Sequence, residues 1–280
     1  MIEKLHYRYY NLKQKYKEGN VMRAKTYFFD TLPSTNSKAK ELAGKGAPHG
    51  TTVIAYQQTV GRGRNGRSFS SQKGGLYMSM VLRTSLPVNA GARITIGAAV
   101  AVQKAILGCF GIDTDIKWVN DLYYRNKKIC GILAEGFDIT PDPEGTTSRF
   151  GFIVLGIGIN ISDKIIFPEE LKDIAGTLEQ KINTEDELQK IIGELSELIR
   201  TNVNEIILEM EKNSKNSLPL FSDDFTKYYN HRFIAMNKHV TVGEAKGKAL
   251  GIDKNGGIII ETSPGEKVTI TSGELSLRML

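Results

Sequence analysis

From Leu42 to Ile112 the chain contains no aspartate or glutamate, while Lys45, Arg62, Arg64, Arg67, Lys73, Arg83, Arg93 and Lys104 all fall within it. With 24% of residues charged, so long a stretch without a carboxylate admits two explanations. Either many of its positions are buried strand or helix, where no charge is welcome, or carboxylates are kept away from a site that must hold an anion. The patterning favours burial for much of it. Thr51 to Gln57 reads as a buried strand, Leu76 to Leu82 as another, and Ala90 to Leu107, small and apolar on all sides, predicts a largely buried helix. Between the two strands lies a loop of Gly, Arg and Ser, and there the anion-site explanation stays open.

The remaining charge is just as uneven. Residues 1 to 25 hold seven Lys/Arg against two acids, and residues 113 to 280 hold 20 bases against 27 acids, within a total of 37 bases and 31 acids. The basic N-terminal arm is expected to be a solvated extension with at most one helix, Leu5 to Glu18, since it lacks the paired-helix pattern of a DNA reader. At roughly 150 residues per domain, the 280 residues suit one large domain with or without a small one. Two cysteines, Cys109 and Cys130, are too few for a disulfide scaffold and show no metal spacing, which predicts a reducing compartment. No signal peptide is read, and Ile94 to Phe110, carrying Gln103 and Lys104, is too short to span a bilayer. A soluble, cytoplasmic protein with no membrane segment is expected.

Further elements follow from periodicity and caps. Thr26 to Thr31 is β-prone and ends at Pro33, after which Ser34 or Thr35 can cap a helix that Gly44 and Gly46 stop. Asp115 to Val119, Asp121 to Tyr124 and Lys128 to Glu135 read as strands, the last two forming a hairpin at Arg125-Asn126-Lys127; Phe150 to Ile161 is another strand. Asp138 to Ser148 reads as a loop insertion. Thr184 to Met210 is amphipathic and opens on a capping box, Thr184 with Glu187. After Tyr229 the chain changes to short β runs, Lys238–Val242, Ala245–Ile252, Ile258–Glu261, Lys267–Ile270 and Leu275–Arg278, broken by Gly-rich turns, which predicts a small all-β barrel. The expected units are 1–25, 26–232 and 233–280.

Gly61-Arg62-Gly63-Arg64-Asn65-Gly66-Arg67 satisfies G-x-G-x-x-G, but the dinucleotide reading fails. That fingerprint needs a helix at the loop and an acid about 20 residues on, whereas this loop runs into a strand and the next acid is Asp113. No G-K-[ST] exists for a phosphate-binding loop of the nucleotidase type. What remains is a backbone able to approach a ligand closely, with guanidiniums aimed at carboxylate or phosphate oxygens, set against a surface turn with incidental arginines. A second constellation is Lys117-Trp118-Val119-Asn120-Asp121 followed by Lys128 to Glu135. Lys128, entering an apolar strand, is either a snorkelling edge residue or one held by an anion. In a third, Gly156-Ile157-Gly158-Ile159-Asn160, glycines inside a buried strand mark close approach of a ligand or of a neighbouring helix.

In this order, with Ser34-Thr35-Asn36, Gln58 and the ending Ser272-Gly273-Glu274-Leu275-Ser276-Leu277-Arg278, these motifs closely resemble the biotin protein ligases across about 250 residues. The resemblance implies an α/β fold: a mixed-sheet catalytic domain of the biotin/lipoate ligase type with a small C-terminal SH3-like β-barrel. It also implies two steps. Biotin and MgATP give biotinyl-5′-AMP and pyrophosphate, and a lysine of a carboxylase biotin-carrier domain (acetyl-CoA, propionyl-CoA or pyruvate carboxylase type) then takes the biotin as an amide.

By matched position, Ser34, Thr35, Asn36, Gln58, Gly61, Arg62, Arg64, Lys128, Gly131 and Gly158 would bind biotin. Arg64, Arg67, Phe69, Lys117, Asn120 and Asn160 would bind the nucleotide. Lys128, Asp121 and Arg64 would be catalytic: Lys128 between the biotin carboxylate and the α-phosphate, Asp121 near the acceptor lysine, Arg64 closing the loop over the adenylate. Glu274 and Arg278 would connect the barrel to the site. No protein metal ligand is assigned; Mg2+ comes with ATP. The family usually has Pro where this chain has Val119 and often Trp where it has Phe69; both replacements stay apolar. A monofunctional ligase without a DNA-binding domain or specific DNA partner is expected, and a homodimer is compatible with the sequence. The alternatives are a lipoate-type ligase, a biotin-dependent DNA-binding regulator and an inactive binding module.

Overall fold

The computed structural model describes residues 24–141, 145 and 147–277; the expected helix Leu5–Glu18 and the assigned Arg278 lie outside them. The main sheet has seven strands: β1 (Thr26–Leu32), β2 (Thr52–Gln58), β3 (Gly75–Leu82), β4 (Asp115–Lys117), β5 (Asp121–Tyr124), β6 (Lys127–Phe137) and β9 (Phe152–Asn160). Their spatial order is β1-β2-β3-β9-β6-β5-β4. Only β1 and β2 run parallel, joined by the crossover helix α1 (Thr35–Gly44); the other neighbours are antiparallel. The insertion carries a small hairpin of its own, β7 (Thr140–Pro141) against β8 (Ser148–Arg149).

Side chains alternate between the faces of a strand, and here the two faces have different fates. Met78 and Met80 of β3, Ile157 and Ile159 of β9, and Ile132 of β6 belong to a large core with α2 (Gly91–Phe110) and α3 (Glu185–Lys215). On the opposite face Val53, Val81, Phe152 and Val154 pack against Ala39 and Ala43 of α1. Burial at every position on both faces explains why β3 is apolar apart from Ser79 and the Tyr77 hydroxyl. The acid-free segment is therefore core along β2, β3 and α2, and not along the loop between the two strands. Segment Val88–Phe110 is long and apolar enough by composition to cross a membrane, but most of it is buried inside the fold, so its composition is that of a core helix.

Local signals account for the helix ends. Helix α2 stops at Gly111, whose left-handed φ of 68° an L side chain adopts only with strain. At the start of α3 the Thr184 hydroxyl accepts from Glu187 N at 3.1 Å, but the Glu187 carboxylate accepts from Asn183 N at 2.9 Å. The capping box thus closes one residue earlier than expected. A fourth helix, α4 (Asp223–His231), capped by Ser222, was not anticipated. The strand predicted over Asp115–Val119 ends at Lys117, because Trp118 turns inward and its Nε1 donates to Gly256 O at 3.1 Å.

The second sheet comprises β10 (His239–Val242), β11 (Ala245–Ile252), β12 (Ile258–Ser263), β13 (Glu266–Ile270) and β14 (Leu275–Leu277), in the antiparallel order β13-β12-β11-β10-β14. Its Val240, Ala249, Ile258 and Leu275 belong to the same core as the main sheet. Trp118, 2% exposed, sits at the junction; truncating a buried aromatic of this kind costs about 3–5 kcal/mol.

Candidate active site

The α1 side of the main sheet is covered only in part, and strand register shows where the cover ends. One row across that face is Val81, Val154 and Glu135, under α1; the next is Ser79, Gly156 and Leu133; the last is Tyr77, Gly158, Gly131 and Asp121. Glycines thus form a basin beside the helix. A Cβ at Gly156 would lie 2.1 Å from Asn36 Oδ1, and one at Gly131 or Gly158 would lie 2.9 or 2.6 Å from the Phe69 ring. The basin is lined by polar groups from the start of α1: Ser34, Thr35 and Asn36 are all buried.

Thr35 and Asn36 belong to one connected set. Thr35 N donates to Gln58 Oε1 at 2.8 Å, Gln58 Nε2 to Ser71 Oγ at 2.9 Å, and Ser71 Oγ to Phe69 O at 3.0 Å. Ser79 Oγ lies 2.8 Å from Thr35 Oγ1 and 2.6 Å from Asn36 Oδ1. Glu135 Oε2 accepts from Asn36 Nδ2 at 2.7 Å and from Arg62 Nη2 at 3.1 Å.

The Gly-Arg loop folds over this basin. Its neck is closed by Phe69 N donating to Gly61 O at 2.9 Å and Gly63 N to Arg67 O at 2.7 Å. A Cβ at Gly61 would meet Phe69 O at 2.3 Å, which is why that position carries no side chain. At the tip, Asn65 and Gly66 take φ values of 54° and 74°, a left-handed turn suited to Asn-Gly. Three side chains reach outward. Arg64 donates to Asn120 Oδ1 and to Gly273 O, both at 3.3 Å, while Asn65 Nδ2 and Arg67 Nη2 each reach a Glu274 oxygen at 2.9 Å.

Lys128 and Asp121 meet across the β5–β6 hairpin, with Nζ 2.7 Å from Oδ1. Lys128 N donates to Ile174 O at 2.8 Å and its carbonyl accepts from Gly176 N at 2.8 Å, so its backbone is bracketed by a further segment rather than lying at a free edge. Asn120 is fixed by its Nδ2 donating to Ile132 O at 3.2 Å. Burial and the neighbouring Asp121 charge push the Tyr123 phenol up to about 12. Burial, reinforced by Asp121, also pushes the Cys130 thiol up, leaving it an inert core thiol.

Two small cavities meet here. One, about 50 Å³, is bounded by Ser34, Thr35, Asn36, Gln58, Arg62 and the glycine basin. The other, about 130 Å³, is bounded by Arg67, Lys117, Trp118, Asp121 and Glu274. Arg64, Phe69, Asn120 and Lys128 line both. Most residues expected at the site therefore converge on it. Gly61 supports the loop neck from outside both cavities, and Asn160 donates to Gly176 O at 3.0 Å beyond them. Ser71, Ser79 and Glu135 were not singled out from sequence, since nothing in their local spacing distinguishes them from ordinary strand and loop residues. Among the described residues no three His, Cys, Asp or Glu side chains converge to hold a metal.

Comparison with known proteins gives this arrangement a family. Residues 28–144 match the model of the Biotin/lipoate A/B protein ligase family, and residues 236–278 that of the Biotin protein ligase C terminal domain. The chain is 35% identical over 263 residues to the bifunctional ligase/repressor BirA of Bacillus subtilis, covering 92% of this chain and 75% of that one. It is 32% identical over 151 residues, 52% of this chain and 51% of the relative, to a biotin–[acetyl-CoA-carboxylase] ligase of Mycobacterium tuberculosis. Among solved structures, a biotin protein ligase from Aquifex aeolicus in complex with biotin and ATP is similar at a TM-score of 0.65 and 28% identity, over 91% of this chain and 98% of that one. With both domain models in order and a relative matched along most of its length, the chain belongs to the biotin protein ligase family.

Proposed function

We propose that the two cavities hold the two substrates of biotin adenylation. In this reading the basin takes the biotin bicycle, with Ser34, Thr35, Gln58 and Arg62 around it. The second cavity takes ATP, with Arg67, Lys117, Asn120 and Phe69 around it and Asn160 near it. The biotin carboxylate then reaches Lys128, at the wall common to both. Its oxygen attacks the α-phosphorus, a P–O bond to pyrophosphate breaks, and biotinyl-5′-AMP forms. Two anions must approach one another in this step, and a fixed cation that neutralises both lowers the barrier most where water is excluded. Mg2+ arrives with ATP and offsets phosphate charge.

In the second step an acceptor lysine amine attacks the carbonyl carbon of the mixed anhydride, the bond to AMP breaks, and an amide forms. In this reading Asp121, 16% exposed beside Lys128, receives the amine proton. The acceptor is the biotin-carrier domain of a carboxylase of the acetyl-CoA, propionyl-CoA or pyruvate type. The observation that carries the reading is that Lys128, Arg64 and Asn120 line both cavities. Biotin-dependent ATP–pyrophosphate exchange followed by intact mass of a carrier domain tests it: exchange and a single added biotinyl group are expected. Exchange that runs equally well with lipoate would overturn it.

A further inference from the structure

We propose that Glu135, which touches neither cavity, is a positioning residue that sets which way the hydrogen bonds of the biotin pocket point, and through them biotin affinity. This rests on the reading of the basin as the biotin site. An ionised carboxylate only accepts hydrogen bonds. Glu135 Oε2 takes two, from Asn36 Nδ2 at 2.7 Å and Arg62 Nη2 at 3.1 Å. The Asn36 amide must then present its NH2 to Glu135 and its oxygen to Ser79, 2.6 Å away. Its amide is held in place, 6% exposed and pressed onto the Gly156 backbone, so the one change open to it is a half-turn that exchanges oxygen and nitrogen.

The consequence passes along the chain. Ser79 has one hydroxyl proton, and Asn36 Oδ1 takes it. Thr35 Oγ1, 2.8 Å from Ser79 Oγ and 3.1 Å from Gln58 Oε1, therefore turns its own proton into the protein, toward one of those two oxygens. Its lone pairs are left for a donor in the cavity it lines. The cyclic urea of biotin carries two N–H donors, and an acceptor-presenting hydroxyl suits them. Replace the carboxylate with an amide and the constraint is gone: Asn36 can flip, Ser79 can turn, and Thr35 can face the cavity with its proton. The same Glu135 oxygen steadies Arg62 at the cavity wall, so both effects act on biotin and neither on ATP.

The test is Glu135→Gln in steady-state ATP–pyrophosphate exchange, with Ser79→Ala beside it as a variant that breaks the same chain without removing a charge. Both should raise the KM for biotin, Glu135→Gln by roughly ten-fold or more, as expected for a lost charge-assisted hydrogen bond. At saturating biotin, kcat and the KM for ATP should stay within about two-fold, well under the effect of one such bond. Glu135→Asp, still acceptor-only, should recover part of the affinity. A biotin analogue with one urea N–H replaced by oxygen adds a readout that general loosening would not move: discrimination between it and biotin should shrink in Glu135→Gln. Unchanged biotin KM and discrimination in both variants, or a loss confined to kcat, would overturn the role of Glu135. A wild-type protein without biotin-dependent exchange would instead overturn the functional reading itself.

Discussion

Lys128 and Arg64 border the same position in the site but are held by different means. Lys128 is the second residue of strand β6, its N–H and carbonyl both bonded to the Ile174–Gly176 segment and its ammonium paired with Asp121, where the two side chains are 29% and 16% exposed. Arg64 sits on a loop and is steadied by two neutral oxygens, Asn120 Oδ1 and Gly273 O. Nearby, Arg67 and Glu274 pair with side chains 69% and 42% exposed, where water and salt screen most of the attraction. A group mounted on a ladder stays put while charge develops, as preorganised electrostatic stabilisation requires. A group mounted on a weakly tied loop can move away and return, which suits admission and retention of substrates.

The sharpest break of this comparison is Lys128→Ala. Adenylate formation, read by pyrophosphate exchange, should fall by roughly 10²–10³-fold, with little change in biotin affinity, because the charge matters most as the phosphorus becomes five-coordinate. Exchange within a few-fold of wild type would remove Lys128 from the chemistry. Arg64→Gly should behave differently. Adenylate should still form, but an imperfectly closed site releases the reactive anhydride, so biotin should appear on bystander proteins such as albumin as well as on the carrier. Strict specificity for the carrier would sink the lid role. The smallest effect belongs to Glu274→Ala. An exposed pair contributes about 1 kcal/mol at most, so a change within about five-fold in adenylation is expected, shrinking as salt is raised. A loss comparable to that of Lys128→Ala would show that the loop is not weakly tied.

What could be read in the sequence was local. The mainly apolar runs of β3 and β9, the Thr184 cap of α3 and the hairpin at Arg125-Asn126 are nearest-neighbour patterns, and they appear in the structure within a few residues of where they were expected. Helix α4 escaped because only Phe225 and Tyr229 of its nine residues are buried, too few to show a period. Lys128 had two readings from sequence, a snorkelling edge residue or a held cation. The bonds from Ile174 and Gly176 and the contact with Asp121 exclude the edge, and they come from segments far away in the chain or across the hairpin. The Glu135–Asn36–Ser79 set is less legible still, since it joins β6, α1 and β3. No window along the sequence contains it, and only strand register puts Ser79 opposite Gly156 and Glu135 one row away, opposite Val154.

The glycine basin bears on how such a site can change over generations. Its depth is made of missing atoms at Gly131, Gly156 and Gly158, and any replacement there can only add some, into space already claimed by Asn36 or Phe69. The floor therefore offers mutation a single direction, toward a shallower cavity. Any drift toward a bulkier or differently shaped acid must come from the walls, from the Gly61–Phe69 loop and the start of α1, where side chains can shrink, lengthen or change their chemistry. The strands would be inherited nearly unaltered, while the range of acids accepted is rewritten above them.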